Sequence, residues 1–153
     1  MSSLLGKLPW IARLLAGVIF TLFGLNGFLH FLPMPPSQGN AAQFLGGLAA
    51  APYFYPLLFL TELAGGVLLL AGRFVPLALL LLAPVIVNIV GFHLSAAPAG
   101  LPLALLVLAL ELFLAWSYRD SFAPVIRARA IPISRERPRP PEVVEPIKEG
   151  IIA

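Results

Sequence analysis

Long apolar runs broken by short polar turns are the dominant pattern of this chain. Between Leu14 and Tyr118 the only carboxylates or strong bases are Glu62, Arg73 and Glu111. A helix crossing hydrocarbon needs roughly 20 apolar residues, and four stretches meet that need: 10–32, 53–72, 75–95 and 101–118. The breaks between them carry turn chemistry: "LPMPPSQGN" (32–40), "GRFVP" (72–76) and "AAPAGLP" (96–102). The segment "AAQFLGGLAAAP" (41–52) is too short and too rich in small residues to cross, and reads as a short helix lying at the interface. The pattern therefore predicts an all-α, transmembrane four-helix bundle with an interfacial helix between spans one and two.

Composition supports that solvent assignment. Of 153 residues, 59% are hydrophobic and 11% charged, against about 25% charged in ordinary globular chains. A water-soluble core of this size could not hide so much apolar surface. The absence of cysteine excludes disulfides, thiolate metal sites and cysteine-bound iron–sulfur clusters. No interleaving of aromatic and basic residues points to nucleic acid.

With four spans, all ten basic residues fall on the side of the two termini. The positive-inside rule makes that side cytoplasmic, so the chain is expected in a bacterial inner membrane with both ends inside. Trp10, Trp116 and Tyr118 mark the inner boundary, and Tyr53 and Tyr55 the outer one. The first apolar run exceeds the 7–15 residues of a signal peptide and precedes three more spans, so it reads as a retained span. The spans form a domain over 1–122. Residues 123–153, which include "RARAIPISRERPRPPEVVEPIKEG" (127–150), read as a disordered, basic cytoplasmic tail. Its Arg127, Arg129, Arg135, Arg137 and Arg139 would attract anionic lipid headgroups at about 1 kcal/mol each.

The polar residues within the spans carry the candidate chemistry. Asn26 and His30 fall in the outer half of span one, and Asn88 and His93 at comparable depth in span three. Glu62 and Glu111 each lie about 15 Å deep at 1.5 Å per residue. An ionised carboxylate at a helix centre costs roughly 2.5–3.5 kcal/mol, so each must be protonated, paired or turned to a polar interior. Together these six residues would form a polar pocket open to the outside, for ligand binding or proton relay. The asparagines could equally be interhelical hydrogen-bond partners, and the histidines interfacial residues. Asn26 and His30 share a helix face. Asn88 and His93 lie about 140° apart, with Asn88 expected to face protein more securely than His93. Gly65 and Gly66 beside Glu62, and Gly17, Thr21 and Gly24 on span one, are expected to let helices approach closely, with span one packing on two sides. Asn and His on span one recur on span three, and Glu on span two recurs on span four, as in two parallel helical hairpins.

The motif "TELAGGVLLLAGRFVPLALLLLAP" (61–84), with Glu62, Gly65, Gly66 and Gly72, resembles the second span of the DoxX family of small bacterial four-helix membrane proteins. The opening "RLLAGVIFTLFGLNGFLHF" (13–31), with Arg13, Gly17 and Gly24, is similar to that family's first span, and the likeness covers about residues 10–122. Many relatives carry a lysine near the end of span one, where this chain has Asn26 and Gly27 leading to His30. The resemblance implies a subunit or accessory of a quinone-linked redox system, without autonomous activity. Quinone is the cofactor it points to, with haem on the two histidines as the alternative. No flavin or nucleotide motif is visible, so a soluble or membrane redox partner would supply electrons. Two other classes remain open: a small proton-coupled transporter built on the two glutamates, which would require a homo-oligomer, and a scaffold or assembly factor that recruits a partner through its tail.

Overall fold

The protein is described here from a computed structural model covering residues 6–34 and 36–123. The predicted tail lies outside the described residues except for Ala123. Among the described residues six α-helices follow in order: α1 (Leu8–Leu29), α2 (Gly39–Ala49), α3 (Phe54–Ala71), α4 (Val75–Ser95), α5 (Leu101–Ser117) and the short α6 (Arg119–Phe122). A single 3-10 turn, Pro98–Gly100, leads into α5. The fold is the all-α bundle that the apolar runs predict, with the extra short helix in place.

The helix ends have local causes. Pro9, Pro76 and Pro102 stand in the first turns of α1, α4 and α5, where a missing N–H leaves no hydrogen bond broken. Gly72 closes α3 in the left-handed conformation (φ 66°), and the next amide, Arg73 N–H, donates back to Leu68 O at 3.3 Å. The Arg13 guanidinium lies directly over Gly72, in the space a side chain there would fill. α2 stops at Ala49 rather than running on to Pro52, because a residue before proline disfavours helical geometry. α1 stops at Leu29, earlier than the apolar run predicts, for a reason that belongs to the site below.

α1 and α3 pack antiparallel with almost nothing between them. A Cβ built on Gly24 would lie 2.6 Å from the Leu63 amide nitrogen, and one on Gly66 would lie 2.5 Å from that of Thr21. Gly17 meets Leu70 in the same way at 2.9 Å. Without hydrophobic driving force in lipid, such close backbone approach is what holds helices together. Neighbouring Gly65 points about 100° away around α3 and admits Leu82 of α4, whose Cγ would lie 2.6 Å from a Cβ there. The glycine pair thus serves two partners, one residue each. α5 closes the ring by packing on α4 and on α1, so α1 does pack on two sides.

The ring has two unlike halves. Towards the termini it is solid, filled by Phe20, Leu69, Leu79, Leu82 and Leu114 around Ala16 and Ala78. Outward-pointing side chains such as Trp10, Leu57, Leu60, Val87, Leu112 and Trp116 are more than half exposed. In water that surface would be an aggregation hazard. Around four helices of membrane-crossing length it is the face that lipid covers, and the chain is a multi-span membrane protein.

Gly66→Ala is expected to destabilise the bundle by about 1–3 kcal/mol, as overpacking does, in reversible detergent unfolding. Gly46→Ala, on α2 with nothing within 4 Å of the added Cβ, is expected to be neutral or slightly stabilising. Equal behaviour of the two variants would refute the close approach of α1 and α3.

Candidate functional site

The half of the ring away from the termini is hollow. A cavity of about 340 Å³ opens there, lined from all four long helices. That lies at the small end of the ligand-pocket range, roughly 300–1,000 Å³. Its walls are mainly apolar and aromatic, with Phe20 and Phe23 from α1, Phe59 from α3, Ile89 from α4, and Ala104 and Val107 from α5. Four polar side chains reach it: Asn26, His30, Glu62 and His93.

Asn26 is buried, 7% exposed, and its role differs from the interhelical one that the sequence leaves open. Its Oδ1 accepts a hydrogen bond from Leu32 N–H at 2.6 Å, and its carbonyl accepts one from His30 N–H at 2.8 Å. Both oxygens therefore fasten the end of α1, where His30 adopts a left-handed φ of 52°. This is why the helix stops before 32. With Oδ1 committed, Nδ2 makes no hydrogen bond among the described residues, leaving a donor at the cavity. His30 is itself exposed and sits at the cavity mouth.

Glu62 is also 7% exposed, at the middle of α3. The antiparallel register that sets Gly24 against Leu63 brings Glu62 level with Asn26. Its carboxyl makes no hydrogen bond or ion pair among the described residues. Glu62 therefore reaches the cavity without a protein partner.

His93, in the last turn of α4, lines the cavity. Its Nδ1 lies 2.8 Å from Ala97 O, and a carbonyl can only accept, so Nδ1 carries the proton. In the neutral ring Nε2 is then an acceptor. The Pro98–Gly100 turn wraps the imidazole, and any Cβ at Gly100 would overlap the ring.

Asn88 departs from the expectation that it faces protein. It is exposed, its Nδ2 donates to Pro84 O of its own helix at 2.8 Å, and it lies outside the cavity. The cause is angular: five residues from His93, it is turned about 140° away once His93 faces inward. Glu111 is buried at 9% exposure but does not line the cavity. It follows Ala104 and Val107 on the buried face of α5, one turn further towards the termini, beneath the cavity floor. The structure thus gathers Asn26, His30, Glu62 and His93, and leaves Asn88 and Glu111 apart. Gly17, Gly24, Gly65 and Gly66 stand at helix contacts, as their spacing predicts.

Phe59, Ala104 and Val107 are among the cavity residues that escape sequence reasoning. The Phe59 ring lies against Gly27, where any Cβ would overlap it, and stacks on Tyr55 at 5.5 Å and 13°. Gly27, three residues beyond Gly24, was the available signal. Ala104 and Val107 carry none, being two small apolar residues in an apolar run. Among the described residues no group of three or more His, Cys, Asp or Glu side chains could hold a metal ion.

The arrangement sets Asn26, Glu62 and His93 on walls that are mainly apolar and aromatic, and among the described residues Asn26 Nδ2 and the Glu62 carboxyl make no hydrogen bond. No family model, curated protein or solved structure compared with the chain matches it.

Proposed function

We propose that this protein binds a quinone headgroup in its cavity and serves as a non-catalytic subunit or accessory of a quinone-linked redox system. The observation that carries the reading is the convergence of Asn26, Glu62 and His93 on one otherwise apolar cavity. The sequence likeness to DoxX proteins, at Glu62, Gly65, Gly66 and Gly72, supports the same class. A cavity of about 340 Å³ suits a single ring better than a haem macrocycle.

A bound quinone supplies two-electron, two-proton chemistry. This chain's residues would position it and handle protons. Asn26 Nδ2 would donate to a carbonyl oxygen of the quinone, and His93 Nε2 would accept from a hydroxyl of the quinol. Glu62 holds or releases a proton at its carboxyl group. Phe23 and Phe59, which line the cavity, would help to exclude water from it. Electrons come from a partner. By the positive-inside rule the basic residues favour cytoplasmic termini, an orientation in which the cavity would lie in the outer half of the bilayer.

Purified protein in lipid nanodiscs is expected to bind duroquinone, and Glu62→Ala to weaken binding at least tenfold, about 1.4 kcal/mol, as read by native mass spectrometry. Wild-type protein that takes up no quinone would sink the reading. For orientation, a periplasm-dependent reporter fused to the C-terminus is expected to stay inactive; activity there would invert the topology.

A further inference from the structure

We infer that the ligand of this cavity is an amphiphile whose hydrocarbon tail lies in a second groove, beneath α2 and between α3 and α4. The inference rests on the cavity being a ligand site and goes further, because it specifies a tailed ligand and where the tail runs.

The groove has a volume of about 520 Å³, and Phe44, Leu48, Leu58, Leu81, Val85 and Phe92 give it an apolar surface. Ile89 and His93, one turn apart on α4, line both the groove and the cavity. The two spaces therefore lie on either side of the same pair of side chains. One is interior and polar at points; the other faces outward, where lipid chains run.

Hydrogen bonding separates their chemistry. Besides the shared His93, the groove's polar side chains are Tyr55, Thr61 and Asn88. Each already donates to this chain's own backbone: Tyr55 OH to Leu45 O at 2.9 Å, Thr61 Oγ1 to Leu57 O at 2.8 Å, and Asn88 Nδ2 to Pro84 O at 2.8 Å. The Tyr55 and Thr61 hydroxyl donors are thus spent, Asn88 keeps a single amide N–H, and among the described residues no Asp, Glu, Lys or Arg lines the groove. The cavity is more polar: among the described residues neither Asn26 Nδ2 nor the buried Glu62 carboxyl has any hydrogen-bond partner. A polar head belongs in one space and an uncharged chain in the other.

α2 supplies the roof. It is pinned by the Tyr55–Leu45 hydrogen bond and by Phe44 against Phe92, with centroids 5.4 Å apart and planes at 31°. A chain leaving the cavity past Ile89 and His93 enters a covered apolar channel rather than open bilayer. That favours a ring compound with a long alkyl or isoprenoid tail over a tailless one.

The test compares two probes on the full chain in nanodiscs: duroquinone, which has no tail, and its decyl-substituted counterpart, with concentrations expressed per lipid. Leu81→Trp and Leu48→Trp fill the groove from opposite walls, and Leu81 is on the lipid-facing side (37% exposed), so the bundle should tolerate its change. Both variants are expected to weaken decyl-probe binding at least tenfold and leave duroquinone binding unchanged. Wild-type binding of both probes, unaffected by either variant, would overturn the groove while leaving the cavity reading intact. Equal loss of both probes would also overturn it, as would a decyl probe that binds wild type no tighter than duroquinone, the result expected if bilayer lipid fills the groove. Failure of both probes to bind wild type would overturn the cavity reading and this inference together.

Discussion

The backbones of α1 and α3 approach until Gly24 nearly touches Leu63 and Gly66 nearly touches Thr21. Every other feature of the bundle is placed relative to that contact. In lipid, apolar side chains gain nothing by choosing protein over hydrocarbon, so packing must come from close van der Waals approach. Three glycines permit it, at 17, 24 and 66. The contact also fixes the sliding register of the two helices, and with it the level of Glu62 against Asn26. A slip by one turn would carry the carboxyl about 5.4 Å along α3, out of line with Asn26.

The same contact explains why the ring is solid at one end and hollow at the other. Towards the termini, Leu69, Leu82 and Leu114 fill the centre. Beyond Glu62, α1 is cut short at Leu29 by its own asparagine, and α5 presents Ala104 and Val107 where larger residues would close the space. Phe59, pressed onto Gly27, lies along the wall instead of plugging the middle. The polar groups are thus held at fixed places around an opening. Asn26 is held by its capping bond, His93 by Ala97 and Gly100, and Glu62 by its place in a tightly packed helix.

Much of this fold was legible in the sequence because a lipid solvent writes long apolar runs, and prolines and glycines punctuate them. The glycine stripes were legible too, since small residues three and four apart can serve few purposes in an apolar helix. Helix rotation was not. Lipid-facing and core-facing side chains are equally apolar, so the amphipathic period that orients a soluble helix is missing. That is why Asn88 and His93 could be shown to diverge by about 140° but not which of them faced inward. Asn26 was hidden for another reason: its capping role depends on where the helix ends, and the helix ends there because of the cap. The polar cavity was half legible, as polar residues of the right types from the middle of the spans outward, and half not, because Gly27, Phe59 and Ala104 look like ordinary membrane sequence.

The most direct measurement of the central contact is a nuclear Overhauser effect between the Thr21 amide proton and the Gly66 α-protons, in uniformly labelled protein in lipid nanodiscs. With the Cβ direction of Gly66 aimed at a point 2.5 Å from the Thr21 nitrogen, a strong cross-peak is predicted. If both residues are assigned and no cross-peak joins them, α1 and α3 do not meet at these glycines, and neither the register nor the cavity described here can stand.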